Sequence, residues 1–166
     1  MSSVSADDFD LPLLAGWSDR TAVTVAGPAS VDGYVPNVVV TREALCSNLG
    51  LGGFAEGHLR LLREQAEEVS VLATEETQLG DSRALVRTVR FRVGDTPALV
   101  QLQAFVVGSG MGYALVGTTG EASFAAAEPD FRKIFEGFRL SSEVVADESG
   151  LSIGQPTSRS RAPVGS

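Results

Sequence analysis

Four consecutive segments rich in β-branched residues, between residues 69 and 119, set the strongest limit on how this chain can fold. Such residues favour strands because they pack well on a pleated, half-buried surface. The breaks between the segments are short and carry Gly or Asp, which suit tight hairpin turns. The segments are 69–78, 84–93, 98–107 and 113–119. Consecutive strands joined by short turns pair as neighbours, so the sequence predicts an antiparallel meander.

Two earlier segments, 20–26 and 36–42, have the alternation of further strands. Because side chains point to opposite faces in turn, Val23 and Val25 share one face of the first segment. Val38 and Val40 likewise share a face of the second. A shorter segment at 9–11 also has strand character.

Apolar residues at helical spacing predict two helices. The first, about 51–68, has Phe54, His58, Leu61, Leu62 and Gln65 along one face. The second has Pro129 in its first turn and Gly137 directly after its end, as is typical of helix termini. Its apolar stripe consists of Phe131, Ile134, Phe135 and Phe138.

The chain of 166 residues divides into a flexible N-terminus (1–8), one domain (9–140) and a disordered polar tail (141–166). The tail is predicted because hydrophobic periodicity stops there. The N-terminus carries acidic residues where a secretory signal has a basic region, so we expect a cytoplasmic protein. Apolar runs reach about five residues, far from the roughly 20 that span a bilayer, so no direct membrane insertion is expected.

The formal charge of −8 and the pI near 4.6 argue against nucleic acid and anionic lipid as partners, because both need clustered cations. The chain has one cysteine, Cys46, and one histidine, His58. An intramolecular disulfide and a zinc site of four His and Cys ligands are therefore excluded within one chain. No metal and no cofactor is predicted.

Nothing in the sequence rises to an enzyme signature. His58 lies on the apolar face of the first predicted helix, where packing is its expected role. The glycine-rich stretches at 48–53 and 108–112 lack the spacing of nucleotide-binding loops, and the second suits a hairpin. We therefore predict no catalytic residues.

The strand around residues 99–107 has two chemically different faces. Val100, Leu102, Ala104 and Val106 form an apolar face that can pack on a helix. The opposite face, with Phe105, carries the amides of Gln101 and Gln103, which are costly to bury unless they pair. Either this face is partly solvated, or it is a concave surface on which the two amides hydrogen-bond an apolar segment of a partner.

The order of these segments resembles the DcrB-like domain family, which has the PsbP-like fold. The resemblance covers roughly residues 9–140. Its most specific part is the segment 36–43 in combination with the later Gln101-Leu102-Gln103. The other matching segments are 9–12, 16–19, Gly80, 113–119 and 131–138.

This resemblance implies an α/β (α+β) sandwich, an antiparallel sheet of about six strands flanked by helices, without catalytic residues. Relatives without a signal peptide include the Eag chaperones, which shield transmembrane segments of type VI secretion effectors. By this resemblance the partner-binding surface is a sheet surface. Its residues would be Val23, Val25, Val38, Val40, Gln101, Gln103 and Phe105.

Two functions follow as hypotheses. The first is a non-catalytic binding module, a chaperone or adaptor for an apolar segment of a secreted or membrane-destined protein client. The alternative is a small-molecule-binding domain whose pocket lies between sheet and helix, with Tyr113, Arg42 and Glu43 as its polar groups. A homodimer formed through an exposed sheet edge is compatible with either hypothesis.

Overall fold

The computed structural model describes residues 2–6, 9–13, 22–29 and 33–140, the first two ranges by their backbone alone. The tail predicted for 141–166 lies outside the described residues. The strands are β1 (Ser2–Ala6), β2 (Phe9–Leu13), β3 (Ala22–Ala26), β4 (Asn37–Ala44), β5 (Glu67–Leu79), β6 (Ser82–Arg92), β7 (Leu99–Gly108) and β8 (Met111–Gly120). The helices are α1 (Leu51–Gln65) and α2 (Phe124–Glu136).

Strands β3 to β8 form one six-stranded sheet in the order β3-β4-β8-β7-β6-β5, and every neighbouring pair is antiparallel. The meander predicted from the four consecutive segments is therefore confirmed, as β5 to β8. The predicted hairpin at 108–112 joins β7 to β8, and Ser109 and Gly110 adopt positive φ there. Strand β4 adds to the meander beside β8, and the chain then crosses the sheet through α1 to reach β5. Ser2–Ala6, where the sequence predicts flexibility, pairs with Phe9–Leu13 in a separate two-stranded sheet.

Each face of the six-stranded sheet is covered by one helix. On the face that we call the α2 face, Leu102 and Leu115 form a buried cluster with Phe131 and Phe135 of α2. On the opposite face, the α1 face, Phe105 and Ala114 pack with Phe54 and Ala55 of α1. The predicted sandwich of sheet and helices is thus confirmed as an α+β fold with a helix on each side.

The ends of both helices differ from the sequence prediction. The first helix ends at Gln65, three residues early, because β5 begins at Glu67. The second begins at Phe124, where a 3-10 turn at Glu121–Ser123 leads from β8 directly into it. Pro129 consequently lies inside α2 and not in its first turn, which corrects the prediction.

None of the helices in the described part of the chain is long and apolar enough to cross a membrane. The described residues also hold no cluster of three or more His, Cys, Asp or Glu side chains that could bind a metal ion.

Candidate functional site

The seven residues predicted to form a partner-binding surface lie on opposite faces of the sheet. Directly paired residues of neighbouring strands share a face. Val38 is paired with Gly117, which is paired with Leu102, so Val38 lies on the α2 face. Gln103 is paired with Val116 and lies on the α1 face. The α2 face holds Val23, Val25, Val38 and Val40, and the α1 face holds Gln101, Gln103 and Phe105. These residues therefore do not form one surface, and their role in partner binding stays a prediction.

The amides of the α1 face are engaged within the protein. Gln103 is 4% exposed, and its side-chain oxygen accepts hydrogen bonds of 3.0 and 2.8 Å from the Arg87 guanidinium. Its amide nitrogen donates to the Gln101 side-chain oxygen at 2.8 Å. Arg87 also donates to the Ala55 carbonyl of α1 at 3.1 Å. A polar network thus joins the centre of the sheet to the helix above it.

Arg87 is 3% exposed, and its hydrogen bonds in the described part of the chain all go to neutral oxygens. Its guanidinium carbon lies 5.0 Å from the centre of the Phe105 ring, a distance at which cation and ring attract. Burial lowers the pKa of Arg87, because a charge out of water is costly. The positive charge is retained through hydrogen bonds to amide and carbonyl dipoles and through the aromatic ring.

His58 of α1 lies in the same interface, between α1 and the sheet. Its ring lies 4.9 Å from Phe54 and 5.3 Å from Phe105, between centroids. Its Nε2 atom is 3.5 Å from a carboxylate oxygen of Glu43. Burial lowers the pKa of His58, and the Glu43 carboxylate opposes this effect. This histidine packs between aromatic rings, as the sequence predicts.

The polar groups predicted for a pocket between sheet and helix do not come together. Glu43 is paired with Gly112 on the α1 face. Arg42 and Tyr113 are paired with each other on the α2 face. Tyr113 packs against Phe138, with 5.9 Å between the ring centroids.

A cavity of about 610 Å³ lies on the α2 face, between α2 and strands β3 and β4, and none of these three residues lines it. We call it the α2 groove and define it by Val25 and Val38 of the strands, with Ala126, Phe131 and Ile134 of the helix. Val25 is 50% exposed and Ile134 39% exposed. On the other side of α2, Arg132 donates a hydrogen bond of 2.8 Å to Glu75 of β5. The helix is thus bonded to the sheet on the β5 side, and the groove lies on the β3 side.

Two hydroxyl groups at the wall of the α2 groove lack a hydrogen bond. Thr119 is 0% and Ser123 5% exposed, and neither hydroxyl oxygen has a hydrogen-bond partner in the described structure. A buried hydroxyl left in this way costs about 1–3 kcal/mol. Asp130 and Lys133 also line the groove, and Lys133 is the only lysine of the sequence. The accessible wall of the groove is thus mainly apolar, with Asp130 and Lys133 as its charged residues, and the two hydroxyls are buried behind it.

The groove is not evident from the sequence, because Ile134 follows the spacing of a packed apolar stripe. One feature of the sequence does point to it. Strand β3 (Ala22–Ala26) contains no charged residue, although all five of its residues are exposed.

The solved structures that share this fold include two that we describe here. PA94 from Pseudomonas aeruginosa, a protein of unknown function and candidate regulator, superposes with a TM-score of 0.69 at 16% identity, over 85% of this chain and 97% of its own. The cyanobacterial PsbP (CyanoP) of Synechocystis sp. PCC 6803 superposes with a TM-score of 0.52 at 15% identity, over 84% and 92%.

At such identities the likeness establishes the fold alone, and the chain has a PsbP-like fold as predicted. No protein-family model and no curated protein sequence matches this chain. Membership of the DcrB-like family and kinship with the Eag chaperones stay predictions.

Proposed function

We propose that this protein is a non-catalytic binding module, a chaperone or adaptor that shields an apolar segment of a secreted or membrane-destined protein. The segment lies in the α2 groove. The observation that carries this proposal is that the groove opens onto β3, an edge strand whose residues are all exposed. Apolar surface continues from the groove to Val23, which is 58% exposed. Exposed apolar surface of this kind marks interaction sites in soluble proteins.

The groove is large enough for the side chains on one side of a bound client segment, but not for the whole segment. Two turns of a helix 10 Å across occupy about 850 Å³, against the 610 Å³ of the groove. The groove therefore accommodates the side chains along one side of a helix, or alternate side chains of a strand. The rest of the segment would lie along β3.

The seven residues of the predicted partner-binding surface have different roles in this proposal. Val23 and Val25 contact the client, because they are exposed in or beside the α2 groove. Val38 is 1% exposed and belongs to the core beneath the groove. Gln103 and Phe105 are buried beneath α1 and hold that helix on the sheet. Gln101 orients the amide of Gln103. Val40 packs against the core of the α2 face and supports the groove from below.

The alternative, a small-molecule site, is favoured by the volume of the groove alone. Ligand pockets commonly measure about 300–1,000 Å³, a range that includes 610 Å³. Such pockets bury about 70–90% of their ligand, however. A groove with the half-exposed Val25 and Ile134 in its wall suits a chain that continues past it.

The test uses a dye-labelled Leu–Ala peptide with a solubilising polyethylene-glycol tail, and fluorescence anisotropy as the measurement. Val25→Lys places a charge in the groove at a position that is already half exposed. We expect this substitution to weaken binding about tenfold or more, because burying a valine contributes about 1.5–3 kcal/mol. Val71→Lys makes the same change on β5, the other edge strand, at a residue that is 39% exposed.

Equal binding by the wild type and Val25→Lys, or equal weakening by Val71→Lys, contradicts the proposal. Gln101→Ala is a second control and leaves the affinity unchanged. Absence of peptide binding, together with saturable binding of a small apolar dye that Val25→Lys removes, would favour the small-molecule alternative.

A further inference from the structure

We propose that two copies of this protein pair edge to edge through strand β3, in an antiparallel register centred on Thr24. All five residues of β3 are exposed, and within the described part of the chain no strand pairs with its outer side. Its sequence, Ala-Val-Thr-Val-Ala, reads the same in both directions. A two-fold axis places the same surface patch of each copy against the other. This strand therefore meets a matching series of side chains when it pairs with itself.

The backbone of β3 is oriented for this register. Gly27, directly after the strand, donates its N–H to the Pro36 carbonyl at 2.8 Å, so its backbone groups face β4. The direction of hydrogen bonding alternates along an antiparallel strand, so the backbone groups of Val23 and Val25 also face β4. The remaining three residues direct their N–H and C=O groups to the free edge, namely Ala22, Thr24 and Ala26.

Only the register centred on Thr24 pairs all of these outward groups. Thr24 then lies opposite Thr24 of the second copy, and Ala22 lies opposite Ala26. Residues opposite each other in this way exchange both backbone hydrogen bonds. A shift by one residue would place outward groups opposite groups that already bond β4. A shift by two would leave one terminal alanine without a strand residue opposite.

The side chains favour the same register. On the α2 face, Val23 of one copy lies opposite Val25 of the other, and these side chains are 58% and 50% exposed in the single chain. On the α1 face, the two Thr24 side chains lie opposite each other. Pairs of β-branched residues and pairs of threonines both stabilise neighbouring strands. Pairing thus removes exposed apolar surface from water.

The charges of the molecule restrict self-pairing to this edge. Each copy has a formal charge of −8, so two copies repel each other overall. Strand β3 has no charged residue and a regular register with β4, whereas the other edge strand, β5, is rich in Glu and irregular. A ladder of one short strand is small beside the roughly 20–30 residues that each partner contributes to a stable interface. The dimer therefore forms at high protein concentration.

This pairing is independent of any client, but it changes the surface that a client meets. Directly paired residues share a face, so the two sheets join with their α2 faces on the same side. The two α2 grooves are then connected by Val23 and Val25 of both copies. Because the pairing uses the backbone edge of β3, the second copy does not displace a segment that lies on the α2 face.

The experiment is disulfide trapping in a Cys46→Ser background, which removes the single native cysteine, an exposed thiol. Thr24→Cys places two thiols opposite each other. Paired residues stand about 4.5–5.5 Å apart between Cα atoms, within the range of about 4.4–6.8 Å that a disulfide requires. We expect Thr24→Cys to form a linked dimer about tenfold faster or more than Thr74→Cys, the matched exposed threonine of edge strand β5.

A second pair of variants tests the register. Val23→Cys faces Val25→Cys across the proposed two-fold axis, whereas two copies of the same variant hold their thiols two positions apart. A mixture of the two variants, one carrying a size tag, should therefore form the mixed dimer about tenfold faster than either variant links to itself. Equal rates for Thr24→Cys and Thr74→Cys overturn the pairing through β3. Self-linking of Val23→Cys or Val25→Cys as fast as the mixture overturns the register. No client is present, so neither outcome bears on the proposed function.

Discussion

At the scale of single residues, the most consequential contact is that between Arg87 and Gln103. Two hydrogen bonds of 3.0 and 2.8 Å join a buried charge to a buried amide. Water cannot replace either hydrogen-bond partner, because both side chains are buried. The amides of Gln101 and Gln103, which are predicted to lie on a partner-binding surface, thus hydrogen-bond within the protein.

We expect Arg87→Met to lower the free energy of unfolding by about 2–3 kcal/mol, because it leaves the Gln103 amide oxygen without its donor. The double variant Arg87→Met/Gln103→Met should be more stable than Arg87→Met, since both polar partners are then replaced by apolar groups. Urea unfolding of both single variants and the double variant gives the coupling energy. Additive effects would show that the two side chains do not depend on each other.

The lowered pKa of His58 predicts a pH dependence with a definite sign. The folded protein binds a proton at His58 less readily than the unfolded chain, whose histidine pKa is about 6.5. Stability from this residue is therefore complete well above pH 6.5 and declines as the pH falls below that value. His58→Gln should remove this part of the decline between about pH 7 and 5. The measurement is the free energy of unfolding from urea titrations at several pH values. An equal change with pH in the wild type and His58→Gln would contradict the lowered pKa of His58.

At the scale of elements, the approach of each helix to the sheet depends on glycine. A Cβ atom at Gly117 of β8 would stand 2.6–2.9 Å from the Phe131 ring of α2. At Gly112 it would stand 2.7–2.9 Å from the Phe54 ring of α1. Both helices therefore lie against strand β8 at positions without a side chain. By contrast, a Cβ atom at Gly57, within α1, would meet nothing within 4 Å.

The same substitution should therefore have opposite effects at two glycines. We expect Gly57→Ala to raise the free energy of unfolding by about 0.5–1 kcal/mol, the usual gain of helix propensity. Gly117→Ala should lower it by about 1–3 kcal/mol, because the Phe131 ring must shift. Thermal and urea unfolding measure both changes. A stable Gly117→Ala protein would show that α2 can move away from β8 at little cost.

At the scale of the whole molecule, the two edges of the sheet are protected unequally. Strand β5 carries Glu67, Glu68, Glu75 and Glu76 and two irregularities in its register with β6. Charges and bulges of this kind prevent edge strands from pairing with other chains. Strand β3 is exposed throughout and carries no charge. The apolar edge beside the α2 groove is therefore the side on which the molecule can add a further chain.

Self-association at high protein concentration should accordingly depend on β3. We expect Val23→Lys to reduce it, because a charge on an edge opposes pairing. Thr74→Lys on β5 is the control and should have no effect. Sedimentation velocity over a range of concentrations measures the change, and equal association of Val23→Lys and the wild type would contradict the role of this edge.

Local sequence patterns predict the approximate bounds of the strands in the main sheet, the antiparallel meander of β5 to β8 and the turns within it. These depend on local rules, namely alternation along a strand and the preference of Gly and Asp for hairpins. The sequence by itself also separated the two faces of β7, because Leu102 and Gln103 necessarily point to opposite sides. The tertiary structure alone decided which face of β4 meets which face of β7, because that depends on the register of β4 with β8.

In this register Val38 stands with Leu102, and not with Gln103. A shift by one residue would have exchanged the faces, and local sequence patterns do not fix the register between strands that are distant in the chain. The open groove between α2 and β3 likewise depends on contacts between segments that are distant in the chain. It results from the close packing of Phe131 on Gly117 and from the contact of Arg132 with Glu75, each made between segments far apart in sequence.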